Sequence, residues 1–476
     1  IAHPTWVNYV LVANASNYCR GDLTAVEQLQ ISVGDSLLIA DGERHKRLRR
    51  IASPAFRIAV LKQYLPTIDQ CVQRLVTRWR QCCNATTQNE PGLQAISSTI
   101  KPVKRLIRPD LGDLSLDVLG LTAFGYDYKA CTEQSTPLSQ TLNVLVTTQK
   151  AIPMGIVPGF KYLLNPIRQY IMSDMPLPFR ACLLVQLRCL LQSVKQNINF
   201  VQCNNINSLK PILSPEQSIN DRSSVTGSNN DKTFDQKKPN LLDSIRKNTA
   251  SGQLNWQEQI DLITTFLFAG YDTTSLSATW TLLLLAHNSK VQERCRVEAK
   301  LFFEKHKQDG FNVMWDNLTK TNIAMPYIRA TLRESMRLFP PAPYVTRKSV
   351  NADNINGYLI PAGTNVLIVI AEMHRDPEIW GDDCCEFIPE RFLNEHVVPW
   401  NAYMPFSDGR HKCIAHQIAF VQLMYTIAVL LCNFRFQPAD ANTNIFDYGV
   451  KSLVTAAPEP DVELNITNLF DKSNSE

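Results

Sequence analysis

The chain has 476 residues, 45% of them hydrophobic and 19% charged, with 48 basic and 44 acidic side chains giving a formal charge of +4. That apolar content is enough for a large core and excludes wholesale disorder. The near-neutral balance excludes nucleic acid as the main partner. The 13 cysteines are scattered, odd in number and without a C-x-x-C spacing, so neither a disulfide framework nor a zinc ribbon is expected.

In chain order, residues 42–56 form a basic helix ended by Ser53-Pro54, and residues 67–82 continue with helical spacing. A further apolar stripe covers 179–200. Residues 204–240 are rich in Asn, Ser, Asp, Lys and Gln and read as a long polar insertion. The longest predicted helix spans Trp256–His287, with Asn255 as its cap and Glu258 as the capping-box partner. A shorter helix spans Pro326–Phe339, started by Pro326 and stopped by Pro340-Pro341. Two β-branched runs follow, 344–350 and 358–370, the second interrupted by Pro361-Ala362-Gly363. The fold class expected is mainly α with a small β-sheet region.

Near the C-terminus stands Pro405-Phe406-Ser407-Asp408-Gly409-Arg410-His411-Lys412-Cys413-Ile414-Ala415, followed at once by an apolar helix over 418–431. A cysteine at a helix start is biased toward thiolate by the free N–H groups and the dipole. Arg410, His411 and Lys412 add positive charge, and Gly409 permits a tight turn against a flat ligand. A stabilised thiolate is a soft ligand for haem iron.

This loop resembles the haem-binding loop of the cytochrome P450 monooxygenases of the eukaryotic microsomal type, with a fungal source as one option. The resemblance makes Cys413 the axial metal ligand of a haem (heme, iron protoporphyrin IX), with Phe406, Gly409 and His411 as cofactor-binding positions. His411 stands where the family carries arginine, and Ala415 where it carries glycine.

Other family elements follow in order. Three Glu-x-x-Arg patterns occur, at Glu293/Arg296, Glu334/Arg337 and Glu372/Arg375; the second precedes Pro340-Pro341-Ala342-Pro343, as the family pattern requires. Residues 387–392, with Pro389-Glu390-Arg391-Phe392, supply the third member of a structural triad, Glu334, Arg337 and Arg391. The centre of the long helix, Ala269-Gly270-Tyr271-Asp272-Thr273-Thr274, is poor in helix formers. By resemblance it is the oxygen-activation groove, with Asp272 and Thr273 as catalytic residues and Gly270 leaving room for dioxygen. His45 and Arg49 on the basic helix, and Arg347 beyond the proline-rich turn, match family positions that hold haem propionates.

The resemblance implies the P450 fold over residues 1–476 as a single haem domain, with the family's N-terminal membrane anchor preceding Ile1. It implies a monooxygenase that inserts one atom of O2 into a lipophilic substrate, drawing electrons from an NADPH-dependent P450 reductase. The setting implied is the cytosolic face of the endoplasmic reticulum membrane. Phe266, Phe268, Ala269 and residues 342–345 are the candidate pocket, and 154–179 the candidate access lid. Two other readings remain open: a thiolate-haem isomerase, dehydratase or peroxygenase that needs no reductase, and a non-enzymatic haem binder or sensor.

Overall fold

The computed structural model describes residues 1–21, 35–88, 102–132, 240–319, 324–393, 401–452 and 454–469. The predicted stripe at 179–200, the candidate lid and nearly all of the polar insertion lie outside them. Asn240, the last residue of that insertion, caps a helix in a capping box with Asp243.

The principal helices are α1 (Gly42–Ala52), α2 (Leu65–Gln88), α3 (Ile107–Leu119), α4 (Leu241–Ala250), α5 (Trp256–His287), α6 (Ser289–Lys305), α7 (Phe311–Thr319), α8 (Pro326–Leu338) and α9 (His416–Asn433). A short helix, Pro4–Asn8, runs into a π turn, Tyr9–Ala13. The predicted ends of α5 are met: the Asn255 side chain accepts from Glu258 N, and the Glu258 carboxylate answers at Asn255 N. Such a box satisfies two of the N–H groups a helix start leaves free. At α8, Pro326 occupies the first turn, where its missing N–H costs nothing.

The sheets are small and antiparallel. Strands β1 (Tyr18–Arg20), β3 (Tyr344–Ser349) and β6 (Asn365–Val369) form one, in the order β1-β3-β6. Strands β2 (Val103–Leu106), β7 (Phe434–Pro438) and β10 (Glu463–Asn468) form another, in the order β2-β10-β7. Two hairpins complete the set: β4 (Asp353–Ile355) with β5 (Tyr358–Ile360), and β8 (Gly449–Ser452) with β9 (Ala456–Glu459). The second predicted run is therefore two strands, parted at the Pro361-Ala362-Gly363 turn, where Gly363 has φ +80°.

The main core lies among α2, α3, α5, α6, α8 and α9. Trp280 of α5 stacks on Phe339 at the end of α8, with ring centroids 3.9 Å apart and planes within 5°. Burying each such aromatic stabilises the fold by roughly 2–3 kcal/mol. Gly270 has a packing reason: a Cβ there would sit 3.0 Å from Leu119 Cδ2, so the glycine sets the approach of α3 to α5. Arg296, the arginine of a Glu-x-x-Arg set aside on sequence grounds, is buried. It pairs with Glu293 and donates to the carbonyls of Leu431 and Phe434, closing the C-terminal end of α9.

Among the described residues one helix, α9, is long and apolar enough to cross a membrane. It extends beyond the sequence-predicted 418–431, and two thirds of it is packed inside the fold.

Candidate haem and oxygen site

Cys413 lies two residues before Ala415, the N-cap of α9. Its backbone N–H donates to Phe406 O at 3.0 Å, and His416 Nδ1 lies 3.0 Å from its carbonyl, so the loop closes on itself around the sulfur. Cys413 is half-buried and opens onto a cavity of about 340 Å³. Burial pushes its thiol pKa up, while the Ala415 N–H and the Arg49 guanidinium pull the other way. Arg49 is thus the cation that favours its thiolate. Of the loop cations expected in that role, Arg410 donates to Tyr18 O and lies 3.4 Å from Asp41, and His411 faces Asp41 as well. Lys412 lies beside Asp408.

Gly409 does not line the cavity. Its φ is +69°, and a Cβ there would lie 2.0 Å from Leu11 O of the N-terminal π turn. The glycine is demanded by left-handed backbone and by the Leu11 carbonyl, not by a flat ligand as its sequence context suggested.

One wall of the cavity is basic. His45 and Arg49, one turn apart on α1, both line it, as does Arg20 of β1. The His45 and His411 rings lie 4.2 Å apart. Arg347 pairs with Arg20 across the strands; it is buried behind the wall, donates to Thr346 O and does not itself line the cavity. The strand pairing puts Arg20 forward in its place. Arg20, Arg49, Arg347 and Arg410 gather around one carboxylate, Asp41. Burial and then the neighbouring Arg347 lower the Arg20 pKa to about 9, and burial and Arg410 lower that of Arg347 to about 10. Burial and neighbouring arginines bring His45 to about 4 and His411 to about 3, so both rings are neutral at pH 7. Although burial opposes it, hydrogen bonds from His411, Gly42 N and Arg20 N hold Asp41 well below the usual carboxylate range.

Arg347 is buried and Arg20 partly so, and these neighbouring arginines outweigh the Asp41 carboxylate in charge at this wall. Arg20 Nε and His411 Nδ1 are buried without a hydrogen-bond partner among the described residues. Such groups persist only where an anion completes them. A ligand with two carboxylates and a flat apolar body fits this wall.

The long helix supplies another wall through Phe266, Ala269, Gly270, Thr273 and Thr274. Thr273 Oγ1 donates to Ala269 O at 2.7 Å. Asp272 does not line the cavity. The lining face of α5 carries Ala269 and Gly270 and, one turn on, Thr273 and Thr274, and at about 100° per residue Asp272 falls beside that face. The buried Asp272 carboxylate lies 3.2 Å from Arg108 of α3 and accepts from Thr455 Oγ1 at 2.5 Å. Arg108 also pairs with the half-exposed Asp461. Of the expected pocket residues, Phe266, Ala269, Ala342 and Val345 line the cavity, whereas Phe268 is buried away from it.

Glu334 and Arg337 are fully buried and paired through two hydrogen bonds of 2.7 and 2.8 Å. Arg337 donates further to the carbonyls of His374, Cys384 and Glu386. Arg391 lies 3.4 Å from Glu334 but bonds mainly to Asp383, through both its carboxylate and its carbonyl. Ile388 N fills the Glu334 oxygen instead.

A model of the cytochrome P450 family matches residues 1–464. The chain belongs to the cytochrome P450 family. It is 26% identical over 443 residues to human cytochrome P450 4F12, covering 92% of this chain and 75% of that one. It is 25% identical over 443 residues to cytochrome P450 CYP72A616 of Paris polyphylla, covering 92% and 74%. It is 27% identical over 405 residues to cytokinin hydroxylase of Arabidopsis thaliana, covering 85% and 67%. The P450 family binds haem through an axial cysteine thiolate, and the chain is a haem-thiolate monooxygenase with the mainly helical P450 fold.

Sequence reasoning missed Arg20, Asp41 and His374. Arg20 sits on a three-residue strand with no periodic pattern, and its role depends on pairing with a strand over 300 residues away.

Proposed function

We propose that Cys413 is the axial ligand of a haem whose propionates meet Arg20, Arg49 and His411, and that the chain hydroxylates or epoxidises a lipophilic substrate with electrons from an NADPH-dependent reductase. The observation that carries this reading is a cysteine opening onto a cavity one wall of which holds Arg20 and Arg49, with Arg347 buried behind them. When bound, haem with a thiolate ligand supplies the activation and cleavage of dioxygen.

The residues around it divide the remaining work. The Cys413 loop and the buried Glu334–Arg337 pair fix the position of the ligand. Leu119, Phe266, Ala269, Val345 and Ile370 offer an apolar lining that suits a lipophilic substrate and excludes water. The Thr273 hydroxyl, whose hydrogen goes to Ala269 O, offers its oxygen to the cavity as a hydrogen-bond acceptor. Asp272 lies on the far side of α5, its carboxylate ion-paired with Arg108 and, through it, linked to the solvent-facing Asp461. A proton route from solvent through Asp272 toward Thr273 requires the carboxylate to leave Arg108.

Lys46 and Arg50 share an exposed face of α1, and Arg49 donates to Lys412 O, which sets the exposed Lys412 beside them. This basic face suits an acidic flavoprotein reductase. A position at the endoplasmic reticulum membrane, facing the cytosol, goes with that partner. The test is product formation from a panel of lipophilic substrates with and without reductase and NADPH. Dependence on both supports the reading. Full turnover without electrons favours the isomerase, dehydratase or peroxygenase alternatives. Haem binding without any turnover or NADPH use favours a sensor.

A further inference from the structure

Cys384 and Cys385 are adjacent in sequence, and their sulfur atoms lie 3.9 Å apart. Cys384 is buried and Cys385 exposed, so one thiol meets solvent and its neighbour waits behind it. Two cations act on the pair. Arg375 interacts electrostatically with both thiols, and Arg337 with Cys384.

The backbone around them is committed elsewhere. The Cys384 carbonyl accepts from Arg337 at 2.6 Å, Glu386 O from Arg337 at 3.1 Å and Asp383 O from Arg391 at 2.7 Å. The peptide joining the two cysteines therefore supplies one of the acceptors that hold the buried Arg337. Adjacent Cα atoms are about 3.8 Å apart across a trans peptide, closer than the roughly 4.4–6.8 Å usual for a disulfide. Bonding the two sulfurs requires that peptide to turn, and its carbonyl turns with it.

We propose that Cys384 and Cys385 are a vicinal dithiol oxidised by a hydroperoxide to a disulfide, and that closure withdraws the Cys384 carbonyl from Arg337 and loosens the network behind the haem loop. In the first step the Cys385 sulfur attacks a peroxide oxygen; the O–O bond breaks, and the hydroxide leaving group takes a proton to become water. In the second, Cys384 sulfur attacks the Cys385 sulfenic acid, the S–S bond forms, the S–O bond breaks, and a second water leaves. Two thiols and one hydrogen peroxide become one disulfide and two waters. The strained, partly exposed product is of the type that reductants reopen.

The test uses the full-length holoprotein. It is exposed to hydrogen peroxide in small excess, quenched with N-ethylmaleimide, digested and weighed. The peptide carrying both cysteines is expected to lose two hydrogens and to escape alkylation until dithiothreitol is added. Both thiols still free, or each oxidised separately to sulfinic acid, overturns the proposal. In parallel, haem transfer to apomyoglobin is expected to quicken roughly tenfold on oxidation, the rate equivalent of one hydrogen bond lost to a buried charge, and to return on reduction. The Cys385→Ser protein, treated identically, is expected to show neither change, which separates this effect from peroxide damage to haem. A disulfide that forms without altering haem transfer overturns the link to Arg337. Neither readout needs turnover or a reductase, so failure of the monooxygenase reading would leave this result legible.

Discussion

Nε2 of His374 accepts a hydrogen bond from the backbone N–H of Met404 at 2.9 Å, and the carbonyl of the same histidine accepts from Arg337 at 2.7 Å. His374 is fully buried. Ser407 N in turn donates to Met404 O, and Cys413 N to Phe406 O. A continuous path of hydrogen bonds and chain thus joins the Glu334–Arg337 pair to the cysteine loop. On this path the pair acts at a distance, by fixing where the loop begins.

His374→Leu leaves the Met404 N–H buried without a partner, which costs about 1–3 kcal/mol. The purified protein should carry markedly less haem per chain and unfold at lower urea. His374→Gln keeps an oxygen acceptor and should lose less than half as much. Haem-to-protein absorbance ratios and urea midpoints of the two variants check this.

Burial, and then Arg337, lowers the His374 pKa to about 3. The unfolded value is about 6.5, so between these limits the unfolded chain binds the extra proton. The contribution is fully present above about pH 6.5 and is lost as pH falls toward 3. Unfolding free energy should drop by about 1.4 kcal/mol per pH unit from this one group between roughly pH 6 and 4. His374→Gln should show a slope shallower by that amount in urea titrations at a series of pH values.

Gly409→Ala should be among the most damaging single substitutions in the loop. It forces alanine to φ +69°, at a cost of about 1–2 kcal/mol, and sets a Cβ 2.0 Å from Leu11 O. The N-terminal segment must move away from the loop. The expected product is poorly soluble or haem-deficient protein, measured by expression yield and the Soret absorbance per chain.

The sequence made much of this site legible. The cap Asn255, the stop at Pro340-Pro341 and the cysteine before an apolar helix are local signals, written in neighbouring residues. Two of the expected site residues, Asp272 and Arg347, lie off the cavity for a shared reason. Asp272 and Thr273 are adjacent letters, yet helical geometry turns them to different faces, and Asp272 finds Arg108 and Thr455. Arg347 and Arg20 face each other across a strand pair, and only that pairing decides which one reaches the cavity. His374 was invisible because its meaning lies in a backbone amide 30 residues away.

Asp272→Asn removes the proton carrier while keeping shape and hydrogen-bonding capacity. Haem content and the substrate-free spectrum should match the wild type. Product formation per NADPH consumed, with reductase present, should fall roughly tenfold or more. Unchanged coupling would assign Asp272 a purely structural role through Arg108.

The central claim is that Cys413 is the iron ligand. The most direct measurement is the absorption spectrum of the reduced, carbon-monoxide-bound protein, wild type against Cys413→His. A strongly red-shifted Soret band in the wild type that is lost in a variant still holding haem is the predicted result. The same red-shifted band in both proteins would contradict the claim and place the thiolate on another cysteine.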